Sequence, residues 1–360
     1  MSVQMIRDAD ELQAFCQKLD PAKAIAIDTE FIRQKTYYAI PAVIQIAQQQ
    51  EHEMLSTCID APLIEDWSAL QNSLQQSKYC LTHSPDQDFE IFDQLFTDWT
   101  FNIYDTQVAA ALLGAQPQIS YAQLMQNTLG LEIDKSQSRT DWLKRPLSAA
   151  QLDYAIADVI HLPKAWQLLS QDLEHKDRLE WFKTDCERQV ERHKAQSPLQ
   201  SAWNRVKGIK RLSDSDFARA ASLAHWREQR AMQKDRPRRW ILADDIILEL
   251  AQSPERLKHM QQEHKVLQHN HDSIRPLLDS PLQEFEQFDT NVFSPLNDAE
   301  KKRFSRIKQY CRKHAEKLDI DPATLSNRKT LEKIARGLSD FLDADNWRHR
   351  VLQNYLQEHA

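Results

Sequence analysis

Ala24-Ile25-Ala26-Ile27-Asp28-Thr29-Glu30 is the stretch of this sequence that decides its fold, because an apolar run of strand length leads directly into two acidic residues. In an extended strand, residues two apart point to the same side of the sheet. We therefore expect the carboxylates of Asp28 and Glu30 to face one spot. Alone the pattern is weak, since many strands end in two acids by chance.

A second pair of polar groups lies further along, in Gln151-Leu152-Asp153-Tyr154-Ala155-Ile156-Ala157-Asp158, an alanine-rich stretch typical of a helix. Tyr154 and Asp158 are four residues apart, so a helix places both side chains on one face. A separate acid, Asp88, lies between the two pairs in the sequence. If the fold brings all these acids together, their charges repel strongly unless divalent cations lie among them.

The first 165 residues alternate between strand-like and helix-like runs, which indicates an α/β domain. Five short apolar or β-rich runs predict strands at 24–28, 42–47, 54–59, 78–82 and 101–105. Helical patterns cover 8–19, 89–96 and 106–113. A single long polar helix is expected from 162 to 192, followed by a linker at 195–201.

Strand signals disappear after the linker. Helical patterns cover 214–229, 242–250 and 254–260, and Ser213 or Asp214 is a plausible N-cap for the first of them. The remainder of the chain therefore reads as all-α.

Composition indicates a multidomain protein of a reducing compartment. At 360 residues the chain exceeds what one hydrophobic core usually serves, and 41% hydrophobic and 28% charged residues are ordinary for a packed, globular protein. The first residues lack an apolar signal region, and no run of about 18 apolar residues occurs. Five cysteines without a Cys-x-x-Cys pair suggest neither a disulfide framework nor a zinc site. We expect a cytoplasmic location and no membrane span.

The net charge of −7 is unevenly divided. Residues 1–200 contain 17 Lys and Arg against 29 Asp and Glu, whereas residues 201–360 contain 29 against 24. An acidic first part suits a site that attracts divalent cations, and a basic second part could contact phosphates. A net charge of +5 over the second part is also unremarkable for a solvated surface.

Several sequence blocks, in order, resemble bacterial ribonuclease D, a branch of the proofreading-type 3′-to-5′ exonucleases of the ribonuclease H-like superfamily. Asp28-Thr29-Glu30-Phe31-Ile32-Arg33 with Thr36-Tyr37-Tyr38 resembles the first motif of that family, and His83-Ser84-Pro85-Asp86-Gln87-Asp88-Phe89 resembles the second, selecting Asp88 as its acid. The later blocks are Tyr104-Asp105-Thr106-Gln107, Asp134-Lys135-Ser136-Gln137-Ser138-Arg139-Thr140-Asp141-Trp142, Arg145-Pro146-Leu147 and Tyr154-Ala155-Ile156-Ala157-Asp158.

The resemblance implies a domain organisation. An α/β ribonuclease H-like exonuclease domain, with a mixed five-stranded sheet and flanking helices, is expected over residues 1–200, including the long connecting helix. Residues 210–292 resemble the helical HRDC domain of ribonuclease D and RecQ-type helicases, through Asp235-Arg236-Pro237-Arg238-Arg239-Trp240 among other motifs. Residues 296–360 resemble a diverged second HRDC-like domain.

The resemblance also implies a chemistry, hydrolysis of the terminal phosphodiester with two divalent ions, Mg²⁺ or Mn²⁺. Asp28 is expected to bridge both ions, Glu30 and Asp158 to hold the ion on the side of the nucleophile, and Asp88 to support the other. Tyr154 is expected to orient the attacking water, since a phenol with a pKa near 10 is a poor base at neutral pH.

Substrate contacts are expected from two regions. Arg139 and Trp142 could contact a phosphate and a stacked base, although Trp142 could equally belong to the core. Arg236, Arg238 and Arg239 form the densest basic run, which could bind the RNA backbone or be a solvated turn.

The function expected is a metal-dependent 3′-to-5′ exoribonuclease that releases 5′-mononucleotides. Its expected partners are tRNA precursors and other structured RNAs with free 3′ ends, with the protein acting as a monomer. Two alternatives remain open, a DNA exonuclease of the same superfamily and a non-catalytic RNA-binding scaffold.

Overall fold

The structure, a computed structural model, describes residues 5–134, 136–137, 140–343 and 346–358. It divides into two compact units. The first unit contains the described parts of 1–32, 41–194 and 296–360, and the second contains 33–40 and 195–295. Among the described residues no helix combines the length and the apolar character needed to cross a membrane.

The first unit is built on a mixed sheet of six strands in the order β1-β4-β3-β2-β5-β6. The strands are β1 (Met5–Ile6), β2 (Ile25–Ile32), β3 (Ile40–Gln49), β4 (Met54–Asp60), β5 (Cys80–Thr82) and β6 (Ile103–Asp105). β3 and β4 are antiparallel, whereas β1 pairs with β4, and β5 pairs with β2 and β6, in parallel. The five predicted strands are confirmed, while β1 is too short to show an alternating pattern in the sequence.

Nineteen α-helices lie within the described ranges given above. Those of the first unit are α1 (Ala9–Cys16), α2 (Ser68–Gln76), α3 (Asp88–Leu95), α4 (Thr106–Leu112), α5 (Tyr121–Leu129), α6 (Ala149–Ile160), α7 (Leu162–His175), α8 (Leu179–Ala195), α16 (Asp298–Leu318), α17 (Pro322–Leu325), α18 (Arg328–Ala335) and α19 (Trp347–Glu358). Those of the second unit are α9 (Asp214–Lys234), α10 (Arg238–Ile241), α11 (Asp244–Gln252), α12 (Leu257–Glu263), α13 (Lys265–His269), α14 (His271–Asp279) and α15 (Gln283–Glu286). The mixed sheet with its flanking helices, followed by a region that contains only helices, agrees with the predicted fold class.

The prediction of one long helix over 162–192 is wrong, because the chain breaks between α7 and α8. Asp177 has a φ of 54°, in the left-handed region that a helix cannot continue through. The following residue, Arg178, is 6% exposed and donates to the backbone oxygen of Leu112 at 2.5 Å and to that of Leu318. The break therefore places a buried guanidinium at the ends of α4 and α16.

The C-terminal helices of the first unit pack against α8. The indole rings of Trp181 and Trp347 stack with centroids 4.5 Å apart, and Arg348 forms an ion pair with Asp185. The predicted domain over 296–360 therefore shares one compact unit with the exonuclease-like sheet. Its assignment as a separate second HRDC-like domain stays a prediction.

One internal repeat supports that assignment. α9 and α16 each have 21 residues, and each ends at an aspartate with positive φ, Asp235 at 45° and Asp319 at 51°. A four-residue helix follows in both places, α10 and α17, and then a longer one. The two helical regions thus begin with the same succession of elements.

The second unit is organised around Glu228 on α9, whose side chain is fully buried. Arg238 donates to both of its carboxylate oxygens, at 2.6 and 2.7 Å, and the Tyr37 hydroxyl donates to it at 2.6 Å. The Arg238 guanidinium also lies 4.5 Å from the centre of the Tyr37 ring. Residues 33–40 are thereby held in this unit although they connect two strands of the sheet.

We predict that Glu228→Gln destabilises the second unit by about 3 kcal/mol, because it leaves a half-buried guanidinium without its charge partner. Urea unfolding followed by tryptophan fluorescence measures the change. The matched control is Glu284→Gln. The Glu284 side chain is 43% exposed, and its carboxylate lies 3.7 Å from His225, so its replacement should change stability by less than about 1 kcal/mol. Equal effects of the two substitutions would contradict the role given to Glu228.

Candidate active site

Asp28 and Glu30 lie inside β2, which continues to Ile32, so the acids do not end the strand. They share the face of Ala26, which belongs to the core cluster that also contains Ala155 and Ile156 of α6. α6 packs across β2 and β4 on this face. Both residues are half-buried, which is expected for side chains on a face of the sheet that a helix covers.

α6 carries the second pair of predicted groups. Its N-terminus is a capping box, in which Ser148 accepts from the backbone of Gln151 at 3.2 Å and the Gln151 side chain accepts from the backbone of Ser148 at 3.0 Å. Tyr154 and Asp158 follow one and two turns later and are half-buried. The cap fixes the start of the helix on which Tyr154 and Asp158 share one face.

Asp88 is the first residue of α3 and is 8% exposed. The hydroxyl of Thr29 donates a hydrogen bond to its carboxylate. A carboxylate in the first turn of a helix is also stabilised by the helix dipole. Thr29 thus connects Asp88 to the strand that carries Asp28 and Glu30, a contact that no sequence spacing indicated.

The electrostatics of the four acids show that they lie close together. Burial, followed by the charges of Asp88, Asp158 and Glu30, holds the pKa of Asp28 well above its usual range. Burial and the charges of Asp158 and Asp88 raise the pKa of Glu30 to about 8. Burial raises the pKa of Asp158 to about 7 and that of Asp88 to about 6. Positive charge placed among these acids would favour their ionised forms.

The donor chemistry fits divalent metal ions. All four groups are carboxylates, the ligands that Mg²⁺ and Mn²⁺ prefer, and no histidine or cysteine is needed. In the part of the chain that the structure describes, no group of three or more histidine, cysteine or acidic side chains is already arranged to hold a metal ion.

Trp142 is 2% exposed and packs with its ring centre 6.0 Å from that of Tyr154. Such burial favours the core interpretation of Trp142 and speaks against its stacking on a substrate base. Sequence reasoning missed Tyr121, whose hydroxyl donates to the backbone oxygen of Ala157 on α6 at 2.6 Å. Burial and then the charges of Asp158 and Asp28 raise its pKa, so it borders the cluster.

The segment before α6 is fixed by Arg145. Its guanidinium donates to both carboxylate oxygens of Asp60, at 2.8 and 2.6 Å, and Asp60 is 2% exposed. It also donates to the backbone oxygens of Trp142 at 2.5 Å and Ala42 at 3.0 Å. The Arg145-Pro146-Leu147 block therefore has a structural explanation, since it anchors the chain that leads to Tyr154.

The predicted substrate-binding arginines are placed differently from one another. Arg139 lies outside the described residues. Arg236 and Arg239 are exposed in the second unit, whereas Arg238 is paired with Glu228. Within the basic run, Arg236 and Arg239 are therefore the two arginines that an anion can reach from solvent.

Comparison with known proteins identifies the family. A family model described as 3′-5′ exonuclease matches residues 3–174, and one described as HRDC domain matches residues 216–272. The ribonuclease D of Desulfotalea psychrophila is 30% identical over 374 residues, covering 99% of this chain and 98% of that protein. Those of Sphingobium indicum and Zymomonas mobilis are 34% and 35% identical over 254 residues, and this chain spans 64% of the length of each, less than two thirds.

Among solved structures, the fold is similar to that of Escherichia coli RNase D, with a TM-score of 0.83 and 24% identity, covering 99% of this chain and 98% of that one. The two family models define a 3′-to-5′ exonuclease domain followed by an HRDC domain. Exonucleases of this class depend on metal ions. Given the full-length match at 30% identity, the chain belongs to the ribonuclease D family.

We predict that Arg145→Lys lowers the free energy of unfolding by about 2 kcal/mol, because a lysine keeps the charge but loses the two-pronged contact with Asp60 and the bonds to backbone oxygens. Urea unfolding measures the loss. Lys144→Arg, the reverse exchange at the exposed neighbouring position, should change stability by less than about 0.5 kcal/mol. A stable Arg145→Lys variant would show that the anchor is dispensable.

Proposed function

We propose that the protein is a metal-dependent 3′-to-5′ exoribonuclease that removes 5′-mononucleotides from the 3′ end of RNA. The observation that supports this most is the cluster of Asp28, Glu30, Asp88 and Asp158, whose pKa values are raised by burial, and for Asp28 and Glu30 also by neighbouring acids. Membership of the ribonuclease D family supports the same reaction.

In this proposal the acids would hold two ions, Mg²⁺ or Mn²⁺, which would supply the positive charge that activates water and stabilises the attacked phosphate and the leaving oxygen. Asp28 would be shared between the two positions, Glu30 and Asp158 would serve the nucleophile side, and Asp88 would serve the leaving side. The buried contact from Thr29 would keep Asp88 oriented when no substrate is present.

Tyr154 is proposed to orient the attacking water through its hydroxyl. Its pKa is raised by burial and then by the charges of Asp158 and Glu30, so the phenol keeps its proton at neutral pH. A protonated phenol can hold a water by hydrogen bonding and cannot act as its base. Packing against Trp142 would fix the ring in position.

Structured RNAs, tRNA precursors in particular, are the proposed substrates, processed by a monomer in the cytoplasm. The solved E. coli relative is described as an exoribonuclease involved in structured RNA processing. Arg139 and the exposed Arg236 and Arg239 are proposed as phosphate contacts, with Arg238 contributing only as far as its pairing with Glu228 allows. A DNA exonuclease and a non-catalytic scaffold are the alternatives that the experiments below separate.

We expect Asp28→Asn to lower the rate of RNA hydrolysis by on the order of 1,000-fold or more, because an amide removes a negative ligand from the centre of the cluster. The rate is measured on a 5′-labelled RNA with a single-stranded 3′ end. Asp153→Asn removes the same charge from an exposed position of α6 and should leave the rate within a factor of about two. Unchanged hydrolysis by Asp28→Asn, with circular dichroism confirming its fold, would refute the site.

The metal dependence is tested with matched RNA and DNA oligonucleotides in Mg²⁺, in Mn²⁺ and in EDTA. We expect a ladder that shortens from the 3′ end of the RNA and disappears in EDTA, because the acids need cations to bring in an anionic phosphate. Equal shortening of DNA would extend the substrate class to nucleic acids in general. Absence of cleavage on both would favour the scaffold.

A further inference from the structure

A cavity of about 330 Å³ lies within the second unit, between α9, the short helix α10 and α13. Its volume is at the lower end of the range of small-ligand sites. Three of its side chains, Trp226, Arg230 and Lys234, are spaced four apart on α9 and so share one helix face. Arg236, Trp240, Lys265 and His269 also line this cavity, which we call the Trp240 pocket.

The charge of the Trp240 pocket is one-sided, because no aspartate or glutamate is among its lining residues. Arg230 donates only to neutral amides, Gln233 at 3.3 Å and Asn270 at 3.1 Å. The side chains of Lys234, Arg236 and Lys265 are exposed. None of these three forms a salt bridge within the ranges that the structure describes.

Two acids close in sequence to these cations, Glu228 and Asp235, have partners outside the pocket. Glu228 is occupied by Arg238 and Tyr37. Asp235 accepts from the backbone nitrogens of Tyr37 at 2.9 Å and of Tyr38 at 3.1 Å. Neither of these two acids forms a salt bridge with a cation that lines the pocket, and an anion would complement the positive charge there.

An aromatic surface lies beside these cations. Trp240 is 58% exposed, which is unusual for the largest apolar side chain, whereas Trp226 is 7% exposed and belongs to the core. An exposed indole next to lysine and arginine is the combination that binds single-stranded nucleic acid, with bases stacked on the ring and phosphates on the cations. The larger cavity of the first unit, about 490 Å³, lacks this character because Asp185 and Glu191 lie among its arginines.

We propose that the Trp240 pocket binds one nucleotide of single-stranded RNA, with the base on the indole of Trp240 and the phosphate on Lys234, Arg236 and Lys265. The inference rests on the proposed function for its ligand class. It adds a base-stacking element on the HRDC-type unit to the phosphate contacts proposed above. It also explains why a tryptophan is left in solvent next to a basic run.

Binding is measured by fluorescence anisotropy with a 5′-fluorescein oligoadenylate and the full chain carrying Asp28→Asn, so that the probe is not degraded. Trp240→Ala should weaken binding roughly 5-fold to 100-fold, because one base loses its stacking partner. Trp240→Phe should retain most of the affinity, since a phenyl ring still stacks. Equal affinity of Trp240→Ala and the parent would overturn the proposal.

The phosphate contact is tested by Lys265→Gln against Lys258→Gln, an exposed lysine of the same unit that does not line the pocket. Lys265→Gln should weaken binding and lower the slope of log affinity against log salt by about 1. Lys258→Gln should change neither. Equal losses from both lysines would indicate diffuse attraction by the surface and would overturn a defined pocket.

Failure of this inference is distinguishable from failure of the proposed function. If the unsubstituted protein cleaves neither RNA nor DNA but Trp240→Ala and Lys265→Gln weaken binding, the pocket stands and the exonuclease does not. If the protein cleaves RNA and neither variant changes binding, the exonuclease stands and the pocket does not.

Discussion

Repulsion among four neighbouring carboxylates at β2 is the constraint on which the rest of this structure depends. Burial makes the ionisation of all four unfavourable, and the neighbouring acids of the cluster add to this for Asp28 and Glu30, as the raised pKa values indicate. A chain does not gather such groups unless rigid elements hold them. The strand β2 supplies two of them, and the capped helix α6 and the start of α3 supply the others.

The supporting contacts are accordingly strong and buried. Thr29 fixes Asp88 from the neighbouring strand position. Arg145 uses one guanidinium to join the sheet, through Asp60, to the segment that precedes α6. Trp142 fills the space behind Tyr154. None of these three side chains belongs to the acid cluster, yet each limits how far its members can move apart.

Each of the two 21-residue helices, α9 and α16, is followed by an aspartate in the left-handed conformation. Aspartate tolerates this conformation better than most residues, and its carboxylate can bind groups from other segments of the chain. Asp235 binds the backbone of residues 37 and 38, and Asp319 pairs with Lys176 at 3.2 Å. In the second unit Arg236, the residue after Asp235, is exposed and lines the Trp240 pocket.

Local periodicity allowed the sequence by itself to determine the five principal strands, the helix of Tyr154 and Asp158, and the shared face of Asp28 and Glu30. These features depend only on residues a few positions apart, for which strand and helix geometry is fixed. The burial of Trp142, the break at Asp177 and the grouping of 296–360 with the sheet were decided by the tertiary structure. So were the contacts from Thr29 to Asp88 and from Arg145 to Asp60. Each depends on residues far apart in the chain, which local spacing cannot relate because their meeting is set by the packing of whole elements.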